Sequence, residues 1–195
     1  PVDRRKEMSQ AINDEVKRLT HMITEYLDIT RLESGATGMR LSPVRVDAML
    51  ERLLILLEPV AAARKIKLVR NLPGDLPPIL ADPDLLSRAV ENLISNAIKY
   101  SPEVAEVTIS ARTEEAFLCI DIADRGYGIP AADLGRIFEK FYRIPRVQDA
   151  GTPGTGLGLA MVREIAELHR GTAAVKSEVD HGSTFTLRIP RETAP

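Results

Sequence analysis

The sequence predicts an α/β (α+β) domain of two layers, with helices on one face of a mixed sheet, preceded by one long helix. Three observations predict it. Apolar residues recur at helical spacing through residues 3–33, which contain no glycine or proline. Strand-like alternation and amphipathic helices then intermingle over residues 42–190. The chain is 44% hydrophobic, which is enough to bury a core in such a domain.

The first segment, residues 1–34, carries a heptad seam. Apolar side chains alternate at spacings of four and three along it, at Ile12, Val16, Leu19, Ile23 and Tyr26. A helix with such a seam needs a partner, which is another helix, another chain or both. The stretch "SGATG" then breaks the helix, and residues 35–41 are expected to form a linker.

The second segment, residues 42–190, contains a local signal for each of its elements. "PVRV" and "KIKLVRN" read as strands on either side of a helix that Asp47 is expected to cap. Asp82 and Pro83 mark the start of the next helix, as N-cap and first helical residue. Alternating patterns predict strands at "AEVTISAR" and "FLCIDIAD", followed by a long loop over 142–155. A helix over 157–168 comes next, then a hairpin of "TAAVKSE" and "STFTLRI" and a tail over 191–195.

Composition narrows the partners and the compartment. The net charge of −2 gives no reason to expect a nucleic-acid partner. The single cysteine, Cys119, excludes an internal disulfide and favours a reducing, cytoplasmic compartment. Since the chain opens at Pro1, we expect it to be a piece of a longer protein, and the sequence leaves open whether a membrane anchors that parent.

The stretch "ENLISNAIKYS" puts polar side chains on one side of a helix. Asn92, Asn96 and Lys99 fall within roughly 60° of one another, opposite the apolar stripe. Two asparagines one turn apart are poor choices for a merely solvated face. Amide oxygens can ligate Mg²⁺ and an ammonium can meet phosphate oxygens, although an ordinary polar face is the alternative.

The stretch "DIADRGYGIP" brings a carboxylate to the end of a strand. Asp124 follows Leu118, Ile120 and Ile122 on their inward side, where a carboxylate is costly unless a group donates to it. The amino group of adenine is one candidate donor, and the glycines at 126 and 128 would let the chain turn beside a planar ring. The alternative is an ordinary turn between two elements.

The stretch "GTPGTGLGLAMV" holds four glycines in eight positions, just before a helix. It is not a P-loop, because no Lys-Ser/Thr follows the glycines. It is also a poor dinucleotide fingerprint, because a proline-containing loop and not a strand precedes it. What remains is a glycine hinge that opens a helix, where backbone N–H groups can bind phosphate.

Together these stretches resemble the catalytic, ATP-binding part of the sensor histidine kinases of two-component signalling. "ENLISNAIKYS" resembles the family's N box, "DRGYGIP" its G1 box, "RIFEKFYR" its F box and "GTGLGLA" its G2 box, in family order. The resemblance covers about residues 42–190 and implies a Bergerat-type fold that binds ATP and Mg²⁺. Residues 1–34, ending "YLDITRLESG", resemble the second helix of the dimerisation and histidine-phosphotransfer hairpin.

The resemblance also implies roles for individual residues. Asn96 would hold Mg²⁺, Asn92 and Lys99 would contact the metal and phosphates, and Arg143 would reach the terminal phosphate. Phe138 and Phe141 would pin the lid. The base pocket and the phosphate lid would take the remaining ATP-binding residues, which are Tyr100, Asp124, Gly126, Gly128, Ile129, Gly154, Thr155, Gly156, Leu157, Gly158 and Thr184.

Two departures from the family pattern stand out. Arg125 and Tyr127 occupy positions where the family often has Asn and a smaller residue. No H box is present, because none of the three histidines, His21, His169 and His181, has the acidic residue, Arg and Pro that follow the family's phospho-acceptor. His21 is expected to flank the seam and the other two to lie at the surface.

The resemblance therefore implies a kinase module that transfers the γ-phosphoryl group of Mg-ATP to a histidine on a helix absent from this chain. A response-regulator receiver domain would be the next acceptor, and the full-length protein would be a homodimer. The fragment itself would bind ATP without autophosphorylation. A non-catalytic, ATP-responsive scaffold is the alternative, and Asn92 argues against a gyrase-like ATPase, which has glutamate at that position.

Overall fold

The computed structural model describes residues 2–35, 38–144 and 154–191. The chain divides into two compact units, residues 1–37 and 38–195. The first unit is a single helix, α1 (Val2–Glu33), as predicted. The side chains of its seam, from Ile12 to Tyr26, are 43–60% exposed. Within the described ranges, none of the helices combines the length and the hydrophobicity that spanning a bilayer requires.

The second unit contains three helices and seven strands within its described residues. The helices are α2 (Val46–Ala63), α3 (Pro83–Tyr100) and α4 (Gly158–Leu168). The strands are β1 (Ser42–Val44), β2 (Lys67–Asn71), β3 (Ile79–Ala81), β4 (Glu106–Glu114), β5 (Phe117–Asp124), β6 (Thr172–Glu178) and β7 (Gly182–Pro190).

Five of the strands form one mixed sheet in the order β2-β4-β5-β7-β6. The β2–β4 pair is parallel, and the other three pairs are antiparallel. The short strands β1 and β3 pair with each other in a separate two-stranded sheet. Strand β3 was not anticipated, because three residues are too few to show an alternating pattern.

One face of the five-stranded sheet packs against the helices. The side chains on that face are buried, and they alternate along each strand with more exposed ones. They include Val107, Ile109, Leu118, Ile120, Ile122, Phe185 and Leu187. The helices contribute matching apolar stripes to this core. The predicted fold class, an α/β sandwich with helices on one face of a mixed sheet, is confirmed.

The start of α3 follows its sequence signal, whereas the start of α2 does not. The Asp82 carboxylate accepts hydrogen bonds from the backbone N–H groups of Asp84 and Leu85, as an N-cap should. Helix α2 begins at Val46 after Arg45, and the Asp47 side chain pairs with the Arg45 guanidinium without capping the helix. The expectation that Asp47 caps α2 is therefore wrong.

His169 is buried, contrary to the expectation of a surface position. Its Nε2 accepts a hydrogen bond from the Asp82 backbone N–H at 2.9 Å, and its Nδ1 lies 2.7 Å from the Ile165 carbonyl oxygen. A neutral ring with its proton on Nδ1 satisfies both contacts. This histidine therefore joins the end of α4 to the start of α3. His181 is exposed, as expected.

Candidate functional site

The polar side of α3 faces the start of α4. A Cβ built on Gly158 would lie 2.8 Å from Asn92 Oδ1 and 4.0 Å from Asn96 Nδ2, so both amides reach this glycine. Asn92 Nδ2 donates to the Arg88 carbonyl oxygen within the helix, which turns Oδ1 outward. The side-chain amide of Asn96 makes no hydrogen bond to any residue in the described ranges. The side-chain amides of Asn92 and Asn96 therefore both lie beside Gly158, at the start of α4.

The first turn of α4 has backbone donors without a side-chain cap. Leu157 occupies the N-cap position, is fully buried, and has no side chain that could accept a hydrogen bond. The Thr155 hydroxyl accepts a hydrogen bond from the N–H of Leu157, the N-cap residue itself, and therefore caps no N–H group of the first turn. An N-terminus of this kind favours an anion, because its N–H groups and helix dipole both point at it.

Lys99 completes this end of the site. Its Nζ lies 4.5 Å from the centroid of the Tyr100 ring, in a cation–π contact. A Cβ built on Gly154 would lie only 2.3 Å from this Nζ, so the absence of a side chain lets the ammonium approach the backbone. The Arg143 guanidinium donates to the Gly154 carbonyl oxygen at 3.3 Å. The Lys99 ammonium and the Arg143 guanidinium therefore both lie against Gly154, in the segment before α4.

The segment before α4 is attached to the end of the F-box stretch. The Phe141 N–H donates to the Gly156 carbonyl oxygen at 2.9 Å. A Cβ on Gly156 would lie 2.8 Å from the Phe141 carbonyl carbon, and Gly156 has a φ of +75°. The side chain of Phe141 is half exposed, and the buried anchor of this stretch is Ile137. Sequence reasoning named the two phenylalanines and missed Ile137.

At the opposite end of the site, Asp124 is buried on the helix side of the sheet, as its alternation predicts. Its Oδ1 accepts the N–H groups of Gly126 (2.8 Å) and Ser183 (3.2 Å). Its Oδ2 accepts no hydrogen bond from the described part of the chain. Burial raises the pKa of the Asp124 carboxyl, and the two N–H groups oppose that shift.

The turn after Asp124 packs against both α3 and the β6–β7 hairpin. A Cβ on Gly126 would lie 2.5 Å from the Tyr100 carbonyl oxygen, so this glycine lets the turn reach the end of α3. On the other side, the backbone carbonyl oxygen of Tyr127 accepts a hydrogen bond from the Asp180 N–H at 2.9 Å. The Ile129 N–H donates to Ser177 Oγ at 2.8 Å. The turn is therefore held from two directions.

The structure does not bring Thr184 to the Asp124 carboxylate. It pairs with Ala123, and its side chain alternates with the buried Ser183 and Phe185, so it lies on the sheet face opposite Asp124. Ser183, which pairs directly with Asp124, occupies the place expected for Thr184. Ser183 could have been predicted from the sequence, because side chains two residues apart in a strand lie on the same face and Phe185 is apolar. Of the predicted loop 142–155, residues 145–153 lie outside the described residues, as do 192–195 of the tail and 36–37 of the linker.

The donor set suits a metal that is bound mainly through phosphate and water. Among the residues that the structure describes, no three His, Cys, Asp or Glu side chains come together as a metal site. Amide oxygens at Asn92 and Asn96 are hard ligands, which fit Mg²⁺ held by one or two protein groups and a nucleotide. The residues present therefore fit Mg-ATP.

Comparison with known families agrees with this geometry. Residues 81–193 match the family described as histidine kinase-, DNA gyrase B- and HSP90-like ATPases. The chain belongs to this family. The match spans α3, Asp124 and the α4 segment, so it includes every part of the site described above. Membership identifies residues 81–193 as an ATP-binding module.

Among the members of this family, the chain is similar to sensor histidine kinases. It is 37% identical over 181 residues to the sensor-like histidine kinase SenX3 of Mycolicibacterium smegmatis, covering 93% of this chain and 47% of SenX3. The crystal structure of full-length ShkA in complex with AMPPNP superposes with a TM-score of 0.83 at 28% identity, covering 95% of this chain and 38% of ShkA.

A third comparison concerns the fold alone. The histidine kinase ThkA, solved in complex with the response regulator TrrA, has a TM-score of 0.72 at 20% identity and covers 92% of this chain and 49% of ThkA. The chain spans about half the length of the curated relatives it matches. The sequence-based identification as a histidine kinase ATP-binding domain is confirmed.

Proposed function

We propose that this chain is the ATP-binding part of a histidine autokinase, which transfers the γ-phosphoryl group of Mg-ATP to a histidine on a helix outside this chain. A receiver-domain aspartate of a response regulator is the next acceptor. Residues 1–34 supply one helix of the dimerisation hairpin, and the full-length protein is a homodimer whose kinase module lies in the cytoplasm.

The observation that carries this proposal is the convergence of α3 on the start of α4. Asn92, Asn96 and Lys99 approach the backbone of the 154–158 segment, where α4 opens without a side-chain cap. Amide, ammonium and backbone N–H groups suit a triphosphate with its cation. At the other end of the site, the Asp124 carboxylate can accept a hydrogen bond from an amine of the base.

The residues of this chain act by positioning and by neutralising charge, which is most of what phosphoryl transfer requires. Asp124 fixes the base, and the glycines at 154, 156 and 158 let the backbone lie against the phosphates. Lys99 and Arg143 supply positive charge near the transferring group. Asn96, with Asn92 beside it, would hold Mg²⁺, which would supply positive charge to offset that of the phosphates.

The contacts of His169 exclude it as the acceptor, and neither His21 nor His181 is followed by the residues that mark the family's phospho-acceptor. Both ring nitrogens of His169 are engaged in buried contacts. His181 lies in the β6–β7 turn with Nδ1 3.0 Å from the Val179 carbonyl oxygen, and His21 lies on α1 beside Glu25. A phosphoryl acceptor needs an accessible, neutral ring nitrogen that can reach the γ-phosphate.

Calorimetric titration with ATP, with and without Mg²⁺, tests the proposal. Asn96→Ala is expected to remove the Mg²⁺-dependent part of the affinity, and Asp124→Ala is expected to weaken ATP binding at least tenfold, since an ionic hydrogen-bond acceptor is lost. Asn71→Ala, at an exposed position on β2, is the matched control and leaves the affinity unchanged. Unchanged binding in both site variants would contradict the proposal.

Labelled ATP tests the transfer step separately. The chain alone is expected to form no acid-labile phosphohistidine, whereas addition of a protein with the acceptor helix yields it. If the full-length protein binds ATP and yet never gains phosphate, the domain is a nucleotide-responsive scaffold and not a kinase.

A further inference from the structure

Ser177 on β6 makes three polar contacts next to the proposed base pocket. Its Oγ lies 2.8 Å from the Ile129 backbone nitrogen, 2.8 Å from the Gly182 carbonyl oxygen and 2.9 Å from Ser183 Oγ. These partners come from two parts of the chain, the turn after β5 and the start of β7. One hydroxyl therefore ties the two walls of the pocket together.

The chemistry of the three partners fixes the direction of each hydrogen bond. A serine hydroxyl has one proton to donate and two lone pairs with which to accept. Ile129 can only donate through its N–H, and the Gly182 carbonyl can only accept. The Ser177 proton therefore goes to Gly182, so the proton between the two serines must come from Ser183.

This assignment sets what Ser183 can do. With its own proton directed at Ser177, the Ser183 hydroxyl retains its lone pairs and can only accept a further hydrogen bond. Its backbone N–H is already donated to Asp124 Oδ1. The Asp124 carboxylate and the Ser183 hydroxyl, on paired residues of neighbouring strands, are then both acceptors. A base edge that donates, such as an amine, matches this pair, and one that carries a carbonyl does not.

We infer that Ser177 is a positioning residue for the base pocket. It holds the Ile129 amide of the turn and orients the Ser183 hydroxyl as an acceptor. This inference rests on the proposed function, since it concerns the same nucleotide site. It predicts that removal of the hydroxyl weakens ATP binding and also reduces the preference for an amine over a carbonyl on the base.

Titration of the chain with ATP and with inosine triphosphate, which replaces the amine by a carbonyl, tests this inference. Ser177→Ala is expected to raise the Kd for ATP about three- to tenfold, the range for one lost hydrogen bond. The Kd for inosine triphosphate should rise less, because the released Ser183 hydroxyl can then donate to the carbonyl. Ser177→Thr keeps the hydroxyl and should restore both the affinity and the preference.

Ser110→Ala is the matched control, since it removes a serine hydroxyl from β4 at a similarly half-buried position. It should change neither Kd. Ser177→Ala that binds ATP as tightly as the unmodified chain, or that weakens both nucleotides equally, would overturn the inference. If the unmodified chain binds no ATP, the proposed function itself fails, and the inference fails with it.

Discussion

Gly128 offers the sharpest test of the packing between the turn after β5 and the β6–β7 hairpin. A Cβ at this position would lie 1.8 Å from the Glu178 carbonyl oxygen, and the residue has a φ of +63°. Gly128→Ala therefore has to open the contact by about 1.6 Å to reach the 3.4 Å of ordinary contact. That movement breaks the hydrogen bonds of 2.8 Å from Ile129 to Ser177 and 2.9 Å from Asp180 to Tyr127.

Two lost hydrogen bonds cost roughly 1 kcal/mol each, and a side chain in the left-handed region adds about 1–2 kcal/mol. We expect Gly128→Ala to lower the free energy of unfolding by about 3–4 kcal/mol in urea denaturation followed by circular dichroism. Gly135→Ala is the control, because a Cβ there meets nothing within 4 Å and its φ is not positive. A loss below about 1 kcal/mol for Gly128→Ala would refute the close approach.

Three further predictions concern two buried polar groups, Asp124 and His169. Because burial raises the pKa of Asp124, the carboxylate gains a proton at a higher pH than an ordinary aspartate. The Kd for ATP should therefore rise as pH falls towards that range, whereas in Asp124→Asn it should not, and a constant ratio of the two Kd values across pH would contradict this. For the same reason, this carboxyl contributes stability at low pH that is lost as pH rises through its raised pKa, so Asp124→Asn should raise the Tm of the nucleotide-free chain at neutral pH. His169→Ala should lower the free energy of unfolding by roughly 2–4 kcal/mol, since it leaves the Asp82 N–H buried without an acceptor, and the exposed His181→Ala should not.

Much of the fold could be predicted from the sequence because its signals are local. Asp82 and Pro83 mark the start of α3 whatever surrounds them, since cap and first-turn geometry involve neighbouring residues only. Alternation along β5 places Asp124 on the buried side, since successive side chains of a strand point to opposite faces. The helical period likewise puts Asn92, Asn96 and Lys99 on one side of α3.

The same local rules gave wrong or incomplete answers where a distant part of the chain decides. His169 is buried because α4 ends beside Asp82, 87 residues earlier in the chain. Asp47 could cap α2 by residue type, yet Arg45 pairs with its carboxylate. Thr184 was chosen for the base pocket, although the pairing of β5 with β7 places Ser183 opposite Asp124.

The sequence by itself therefore determined the family, the order of the elements apart from β3, and most of the side chains that each element presents. Periodicity and capping depend on residues within one or two turns of each other, and each of the four motifs is a short continuous stretch of the chain. Only the tertiary structure decided which of those side chains meet. Ser177 and its partner Ile129 are 48 residues apart, and Gly158 and Asn92 are 66 residues apart. No local pattern encodes the register between such segments.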